Sequence, residues 1–177
     1  MKIKVYAIGK IKDFYKLGVD EYTKRLSSYA QVEVVELKDE PLPDRPNQSE
    51  ITKAKNNECK RVLSILKDKE YLIGLDLSKK EFTSEEFASY LSNKLETNGA
   101  NISFVIGGSY GLSDELKSRL NDSVSLSKLT FPHQLARLVL LEQLFRAFKI
   151  LNNETYHKWN TKHLKNIKSK KMIIIHF

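Results

Sequence analysis

Residues 102–112 read Ile-Ser-Phe-Val-Ile-Gly-Gly-Ser-Tyr-Gly-Leu, an apolar run that passes directly into a glycine-rich turn. The first five residues predict a short buried strand, and Ser113 is placed to cap a helix after the turn. In an open α/β sheet, ligands bind beyond the carboxyl ends of the strands, where such turns lie. The pair Gly107-Gly108 lets the backbone approach a ligand closely, although a glycine pair after a strand is often only a tight turn.

Around this stretch, strand patterns recur along the chain. Alternating or apolar segments predict strands over residues 2–8, 32–37, 71–77 and 102–106, and Val124 with Leu126 indicates a last one. Helix patterns lie between them. Strands that alternate with helices predict an α/β fold, with a mainly parallel sheet covered by helices.

Helix signals mark where the intervening segments begin. Thr83 and Glu86 form a capping box, and Ser49 is predicted to cap a helix after the proline-rich loop at residues 41–46. Pro132 fits the first turn of a long helix that runs to about Lys149. This helix is apolar on most of its circumference, whereas a surface helix needs only one apolar stripe. We therefore expect it at the centre of the core or, as we favour, between the sheet and a second subunit.

Length and composition exclude several classes of protein. A chain of 177 residues suits one compact domain, and no apolar run reaches the ~20 residues of a membrane span. The first residues lack the apolar region of a signal peptide, so we expect a soluble, cytoplasmic protein that does not associate with membranes. The single cysteine, Cys59, excludes a multi-cysteine zinc site, and no histidines pair at metal-binding spacing, so no metal is expected.

The positive charge is concentrated near one end of the chain. The net charge is +8, but residues 159–177 hold five lysines and no acid, which leaves only +3 for residues 1–158. A clustered excess is typical of a surface that binds a polyanion such as nucleic acid. A non-enzymatic RNA-binding module is therefore one alternative function.

A serine hydrolase is a second alternative. Gly107-x-Ser109-x-Gly111 matches the nucleophile-elbow pattern in a strand-to-helix context. Two acids and two histidines follow in hydrolase order: Asp114, Asp122, His133 and His157. Against a hydrolase, the chain has few strands before Ser109 and is short for an α/β-hydrolase.

Two arginines interrupt the apolar last helix. Arg146 lies four residues after Glu142, and this spacing favours a simple ion pair on one helix face. Arg137 has no such neighbour. Because burying an unpaired guanidinium is costly, we expect Arg137 to face solvent, a ligand phosphate or another subunit.

Together these motifs resemble the RlmH-type methyltransferases of the SPOUT superfamily, which methylate N3 of a pseudouridine in 23S rRNA of the large ribosomal subunit. The matching segments occur in family order: VYAIGK at 5–10, EYTKRL at 21–26, FVIGGSYGL at 104–112, LSKLTFPHQ at 126–134, LEQLFRAFK at 141–149 and YH at 156–157. Each segment is weak evidence by itself, but the set is highly specific.

The resemblance implies a C-terminal deep trefoil knot, a homodimer, and S-adenosylmethionine as cofactor. The family's cofactor contacts carry over to Leu75, Gly107, Leu126, Ser127, Lys128, Leu129, Thr130 and Phe131. The residues it implies for the catalytic site are His157, Arg146, Arg137, Tyr156 and His133. His157 is expected to act as a base or orienting group, and the arginines to stabilise an anionic oxygen or an rRNA phosphate.

Family members end close to the Tyr-His pair, whereas residues 159–177 follow it here. We expect residues 1–158 to form a single methyltransferase domain and residues 159–177 a basic C-terminal extension. The extension could grip rRNA phosphates, form an incidental basic appendage, or crowd His157 and lower activity.

Overall fold

The computed structural model describes residues 1–156, so His157 and the extension at 159–177 lie outside the described residues. Strands and helices alternate: β1 (Lys2–Ile8), α1 (Asp13–Leu26), β2 (Gln31–Leu37), α2 (Gln48–Leu63), β3 (Leu72–Leu75), α3 (Ser84–Thr97), β4 (Asn101–Ile106), α4 (Asp114–Arg119), β5 (Asp122–Val124) and α5 (His133–Leu151). The strands pair in the order β2-β1-β4-β3-β5, and every pair is parallel. The predicted α/β fold with a parallel, helix-covered sheet is confirmed.

Helices cover both faces of this sheet. On one face, the buried apolar residues of β1 and β4 pack against α1, α3 and α5, and α5 lies between the other two helices. On the other face, Cys59 and Val62 of α2 and Leu116 of α4 pack against Tyr6 and Val105. Within one chain every residue of α5 is buried or half-buried. No helix in residues 1–156 is long and apolar enough to cross a membrane.

Local capping explains where two helices begin. The predicted capping box of α3 is confirmed: the Glu86 amide donates to Thr83 Oγ1 (3.2 Å), and the Thr83 amide donates to the Glu86 carboxylate (2.8 Å). The prediction that Ser49 caps α2 is wrong. Asn47 caps this helix, because Glu50 lies three residues later and closes a second reciprocal capping box.

Several other boundaries differ from the sequence patterns. β3 covers only Leu72–Leu75, and β5 ends at Val124, so Leu126 lies in the loop that follows. Pro132 is the N-cap of α5 and precedes its first turn. In α1, Phe14 and Leu17 are 83% and 78% exposed, although their spacing is helical.

The two ends of α5 lie at opposite edges of the sheet. We call the side where the strands end the carboxyl edge and the opposite side the amino edge. α5 begins at the carboxyl edge, where Arg137 binds the carbonyl of Gly9, the residue after β1. Its end lies at the amino edge, because Tyr29, just before β2, donates to Glu154 (2.9 Å). One helix therefore links the two edges.

Candidate active site

Three turns predicted to bind the cofactor begin on neighbouring strands. β4, β3 and β5 are adjacent, and Leu75 pairs in register with Val124 across β3 and β5. The amide of Asp76 also donates to the carbonyl of Val124 (3.0 Å), which ties the two strand ends together. Leu75, Gly107 and residues 126–131, here called the cofactor turns, therefore start side by side at the carboxyl edge.

The turn after β4 has no room for a side chain at its first position. A Cβ on Gly107 would lie 2.6 Å from the carbonyl carbon of Gly111, because the backbone folds back on itself. The amide of Gly111 donates to the carbonyl of Gly108 (3.0 Å) and closes this turn. A close backbone approach within a tight turn thus requires the glycine at position 107.

The loop after β5 is held by its serines. Ser125 Oγ donates to the carbonyl of Ser127 (2.9 Å), and Ser127 Oγ accepts from the amide of Leu129 (3.0 Å). Leu126 and Phe131 are half-buried, and Leu129 is 70% exposed. A fixed backbone beside accessible apolar side chains is a suitable surface for a flat heterocycle, so these residues fit an adenosine-containing cofactor.

His133 lies at the start of α5, beside Gly9. A Cβ on Gly9 would be 3.0 Å from His133 Nε2, and the backbone of Gly9 has a φ of +89°. Burial, followed by the positive charge of Arg137, lowers the pKa of His133 below its usual value. The imidazole is therefore neutral at pH 7, with one ring nitrogen able to accept a proton or a hydrogen bond.

The expectation that Arg137 faces solvent, phosphate or another subunit is wrong. Its side chain is fully buried; Nη1 donates to Glu36 Oε1 (2.6 Å) and Nη2 to the carbonyl of Gly9 (2.8 Å). Glu36 lies at the end of β2, 101 positions earlier in the chain. The pair joins β1, β2 and α5, so Arg137 holds the scaffold around the carboxyl edge.

Arg146 and Tyr156 belong to a separate group at the amino edge, here called the tail cluster. Arg146 forms the predicted ion pair with Glu142, and its guanidinium lies 4.9 Å from the ring centroid of Tyr156. The Tyr156 hydroxyl lies 3.3 Å from Glu142 Oε1 and 3.4 Å from the hydroxyl of Tyr22. Burial, followed by the hydrogen bond with Tyr22, raises the pKa of Tyr156, so the phenol remains protonated near neutral pH.

The structure therefore divides the predicted site residues. His133, Arg137 and the cofactor turns lie at the carboxyl edge, whereas Arg146 and Tyr156 lie at the amino edge. His133 and Arg146 are 13 positions apart on one helix, which corresponds to about 20 Å. Within one chain these two groups do not form a single site.

A cleft that the sequence analysis missed opens beside the cofactor turns. It has a volume of about 310 Å³ and lies between the loop after β2, helix α2 and the turn after β4. Residues on its walls include Asp39, Glu40, Glu58, Gly108, Tyr110 and His133. The sequence signal that could have found it is Glu58, because it is an acid on the apolar face of α2. We call this space the acidic cleft.

Residues 1–156 contain no cluster of three histidine, cysteine or acidic side chains able to hold a metal ion. The lone Cys59 is buried against the sheet, and burial raises the pKa of its thiol.

Comparison with known proteins identifies the family. The family profile described as "Predicted SPOUT methyltransferase" matches residues 1–157. The chain belongs to the SPOUT methyltransferase family. A ribosomal RNA large subunit methyltransferase H 1 from Clostridium perfringens is 48% identical over 159 residues, 89% of this chain and 100% of the relative. A ribosomal RNA large subunit methyltransferase H from Clostridium botulinum is 47% identical over the same shares.

Among solved structures, the putative methyltransferase Lpg2936 from Legionella pneumophila, in complex with the bound cofactor SAM, aligns at 14% identity with a TM-score of 0.45. The alignment covers 84% of this chain and 66% of that chain. The prediction of a methyltransferase related to the RlmH type is confirmed by the family match and by the two clostridial relatives.

The hydrolase alternative does not survive in this SPOUT methyltransferase. Ser109 is exposed and makes no hydrogen bond to a histidine within residues 1–156. Asp122 is occupied by Lys94 (2.8 Å) and the hydroxyl of Tyr90 (3.0 Å), and no histidine of residues 1–156 hydrogen-bonds to it. The glycines around Ser109 serve the tight turn, so the elbow-like pattern has a structural cause.

Proposed function

We propose that this chain transfers a methyl group from S-adenosylmethionine to N3 of a pseudouridine in 23S rRNA, on the ribosome or its large subunit in the cytoplasm. The observation that carries the proposal is the meeting of Leu75, Gly107 and residues 126–131 at one edge of the sheet. Relatives that align along their whole length are named as large-subunit rRNA methyltransferases.

The cofactor supplies an electrophilic methyl group on a sulfonium, which an in-line nucleophile accepts without a metal. The protein then contributes by holding the two reactants in line. The entropic cost of this alignment is a large part of the barrier in such reactions. N3 of the base must also lose its proton. A base near the carboxyl edge is needed, and within residues 1–156 the candidate is the neutral imidazole of His133. His157, outside the described residues, remains the other candidate.

The division of the site residues supports a homodimer. Arg146 and Tyr156 lie at the opposite edge of the sheet from the cofactor turns of their own chain. A second copy could place its tail cluster beside these turns and supply the missing cation and phenol. We infer that each active site combines the cofactor turns of one subunit with the tail cluster of its partner.

The path of the chain supports a trefoil knot. After β5, at the edge of the sheet, the Ser125 amide donates to the carbonyl of Lys80 in the loop that follows β3 (2.9 Å). The chain then crosses the ends of β3 and β4 and begins α5 beside Gly9. We take this path, past the loop after β3 and back to the middle of the sheet, as support for the knot.

Methyl transfer to ribosomes tests the proposal directly. The protein is incubated with labelled S-adenosylmethionine and large subunits from a strain that lacks the corresponding gene. We expect one methyl group on one pseudouridine, located by mass spectrometry. Calorimetry should show cofactor binding, and failure to bind at millimolar concentration would exclude the methyltransferase.

Mixed dimers test the shared site. Gly107→Ala impairs the cofactor turns and Arg146→Ala impairs the tail cluster, so each homodimer should be nearly inactive. In a mixture of the two variants, subunit exchange restores one intact site to the mixed dimers. A mixture no more active than the variants alone would argue against a site built from two subunits.

A further inference from the structure

The acidic cleft lies next to the cofactor turns but is separate from them. The turn after β4 borders both: Gly107 belongs to the cofactor turns, and Gly108 lines the cleft. Its volume of about 310 Å³ is at the lower end of the range for ligand pockets, which begins at about 300 Å³. Enzymes that modify a base extrude it from its helix into a pocket of this kind.

The charges on the cleft walls define what can occupy it. Among residues 1–156, Asp39, Glu40 and Glu58 line it, against a single lysine, Lys55. Arg61 forms an ion pair with Glu40 but does not itself line the cleft. Such a surface repels phosphate and accepts hydrogen bonds, so it suits a neutral base with exposed N–H groups. The side chain of Tyr110 is 44% exposed at the rim, where its ring can stack on a base.

Glu58 is the most buried of these acids. It is 8% exposed, on the inner face of α2, and its Oε1 accepts from the amide of Glu40 (3.1 Å). Within residues 1–156, Oε2 accepts no hydrogen bond. A Cβ on Gly108 would lie 3.0 Å from Oε2, so the carboxylate sits directly over the turn that borders the cofactor site. The residue is largely buried, but Oε2 is left open to the cleft, where it can accept a hydrogen bond from a bound molecule.

We propose that the acidic cleft receives the target pseudouridine and that Glu58 accepts a hydrogen bond from its N1–H. This inference rests on the proposed function and adds the group that selects the substrate. In pseudouridine the sugar is attached at C5, so N1 carries a hydrogen. In uridine N1 is bonded to the sugar and cannot donate. A carboxylate facing N1 therefore distinguishes the two nucleosides, because only one of them satisfies it.

The experiment compares two substrates. Large subunits carry either pseudouridine at the target or, when made in a strain lacking the pseudouridine synthase, uridine. We measure kcat/KM for methyl transfer to each. For the unmodified enzyme we expect a preference for pseudouridine of about ten- to hundredfold, the range for a hydrogen bond to a charged group. Glu58→Met should remove most of this preference, and Glu58→Gln, which keeps a weaker neutral acceptor, should reduce it severalfold.

Controls separate selectivity from folding. Glu33→Met places the same change on β2, where Glu33 pairs with Lys2 (2.9 Å), and should leave the preference unchanged. Tyr110→Ala should lower kcat/KM for both substrates by a similar factor, since stacking does not distinguish the two bases. Calorimetry with S-adenosylmethionine verifies that each variant is folded, and if Glu58→Met fails this check, Glu58→Gln decides.

Three results would overturn the assignment. The first is an unchanged preference in both Glu58 variants. The second is a loss of preference in Tyr110→Ala as large as the loss in the Glu58 variants. The third is an unmodified enzyme that methylates pseudouridine and uridine equally well, which would leave the proposed methyl transfer intact. If the unmodified enzyme methylates neither substrate, the proposed function itself fails.

Discussion

Removing Glu36 should destabilise the protein much more than removing Arg137, its partner. Arg137 is fully buried, whereas the side chain of Glu36 is 33% exposed. In Glu36→Ala the guanidinium stays buried without this counter-charge and, among residues 1–156, keeps only its hydrogen bond to the carbonyl of Gly9. In Arg137→Met an apolar chain of similar length fills the space, and Glu36 can be hydrated.

The burial of the Arg137–Glu36 ion pair sets the expected loss in the free energy of unfolding. Breaking a buried ion pair by removing one partner costs about 3–5 kcal/mol. The partial exposure of Glu36 favours the lower end, so we expect about 3 kcal/mol for Glu36→Ala. Arg137→Met should cost about 1 kcal/mol, chiefly because Gly9 loses its donor. For a domain of this size these values correspond to decreases in Tm of about 6–12 °C and 2–4 °C.

Urea titrations at fixed protein concentration measure both free energies of unfolding, because in a dimer the midpoint depends on concentration. The double variant Glu36→Ala/Arg137→Met should be close to Arg137→Met alone, since no buried charge remains. Arg137→Met should also retain the salt dependence of ribosome binding. A larger decrease in stability for Arg137→Met than for Glu36→Ala would refute the reasoning. A changed salt slope in Arg137→Met would indicate that Arg137 contacts rRNA.

Other predictions concern acid stability, the cofactor turns and the extension. Burial alone would raise the pKa of Glu70, but hydrogen bonds from Ser103 and Tyr6 hold it below its usual value. The stability that this carboxylate contributes is therefore present at neutral pH and is lost as pH falls through the folded-state pKa. The urea midpoint of Glu70→Gln should therefore decline less than that of the wild-type protein as pH falls toward about 3. Gly107→Ala should weaken S-adenosylmethionine binding at least about tenfold by calorimetry, since the new Cβ meets the Gly111 backbone; wild-type affinity would contradict this. Deleting residues 159–177 should lower the salt slope of ribosome binding by about 0.7–0.9 for each phosphate that the extension neutralises, and an unchanged slope would exclude phosphate binding by the extension.

The sequence predicted features whose cause is local. The Thr83 capping box depends on residues three positions apart, and each strand of the sheet shows as a short apolar or alternating run. The Ser49 error is also local, because several residues near the start of α2 can cap a helix. The reciprocal acid at Glu50 decides in favour of Asn47.

The sequence could not predict contacts between distant segments. Arg137 was expected at the surface because no acid lies one helical turn away, yet Glu36 reaches it from the end of another strand. Phe14 and Leu17 have helical spacing but face outward, since periodicity does not show which side of α1 meets the sheet. The α/β pattern indicated the turns after β3, β4 and β5 as ligand sites, and the resemblance supplied their cofactor contacts. The acidic cleft, in contrast, depends on how α2 packs beside the turn after β4.

The position of α5 has a consequence for folding during synthesis. This helix covers β1 and β4 at the centre of the sheet, yet it is the last element of the described chain. Until it leaves the ribosome, the apolar side chains of Val5 and Phe104 lack part of their cover. We therefore expect nascent chains that end before α5 to bind chaperones and to resist protease poorly, and the native state to form only after nearly the whole domain has been translated.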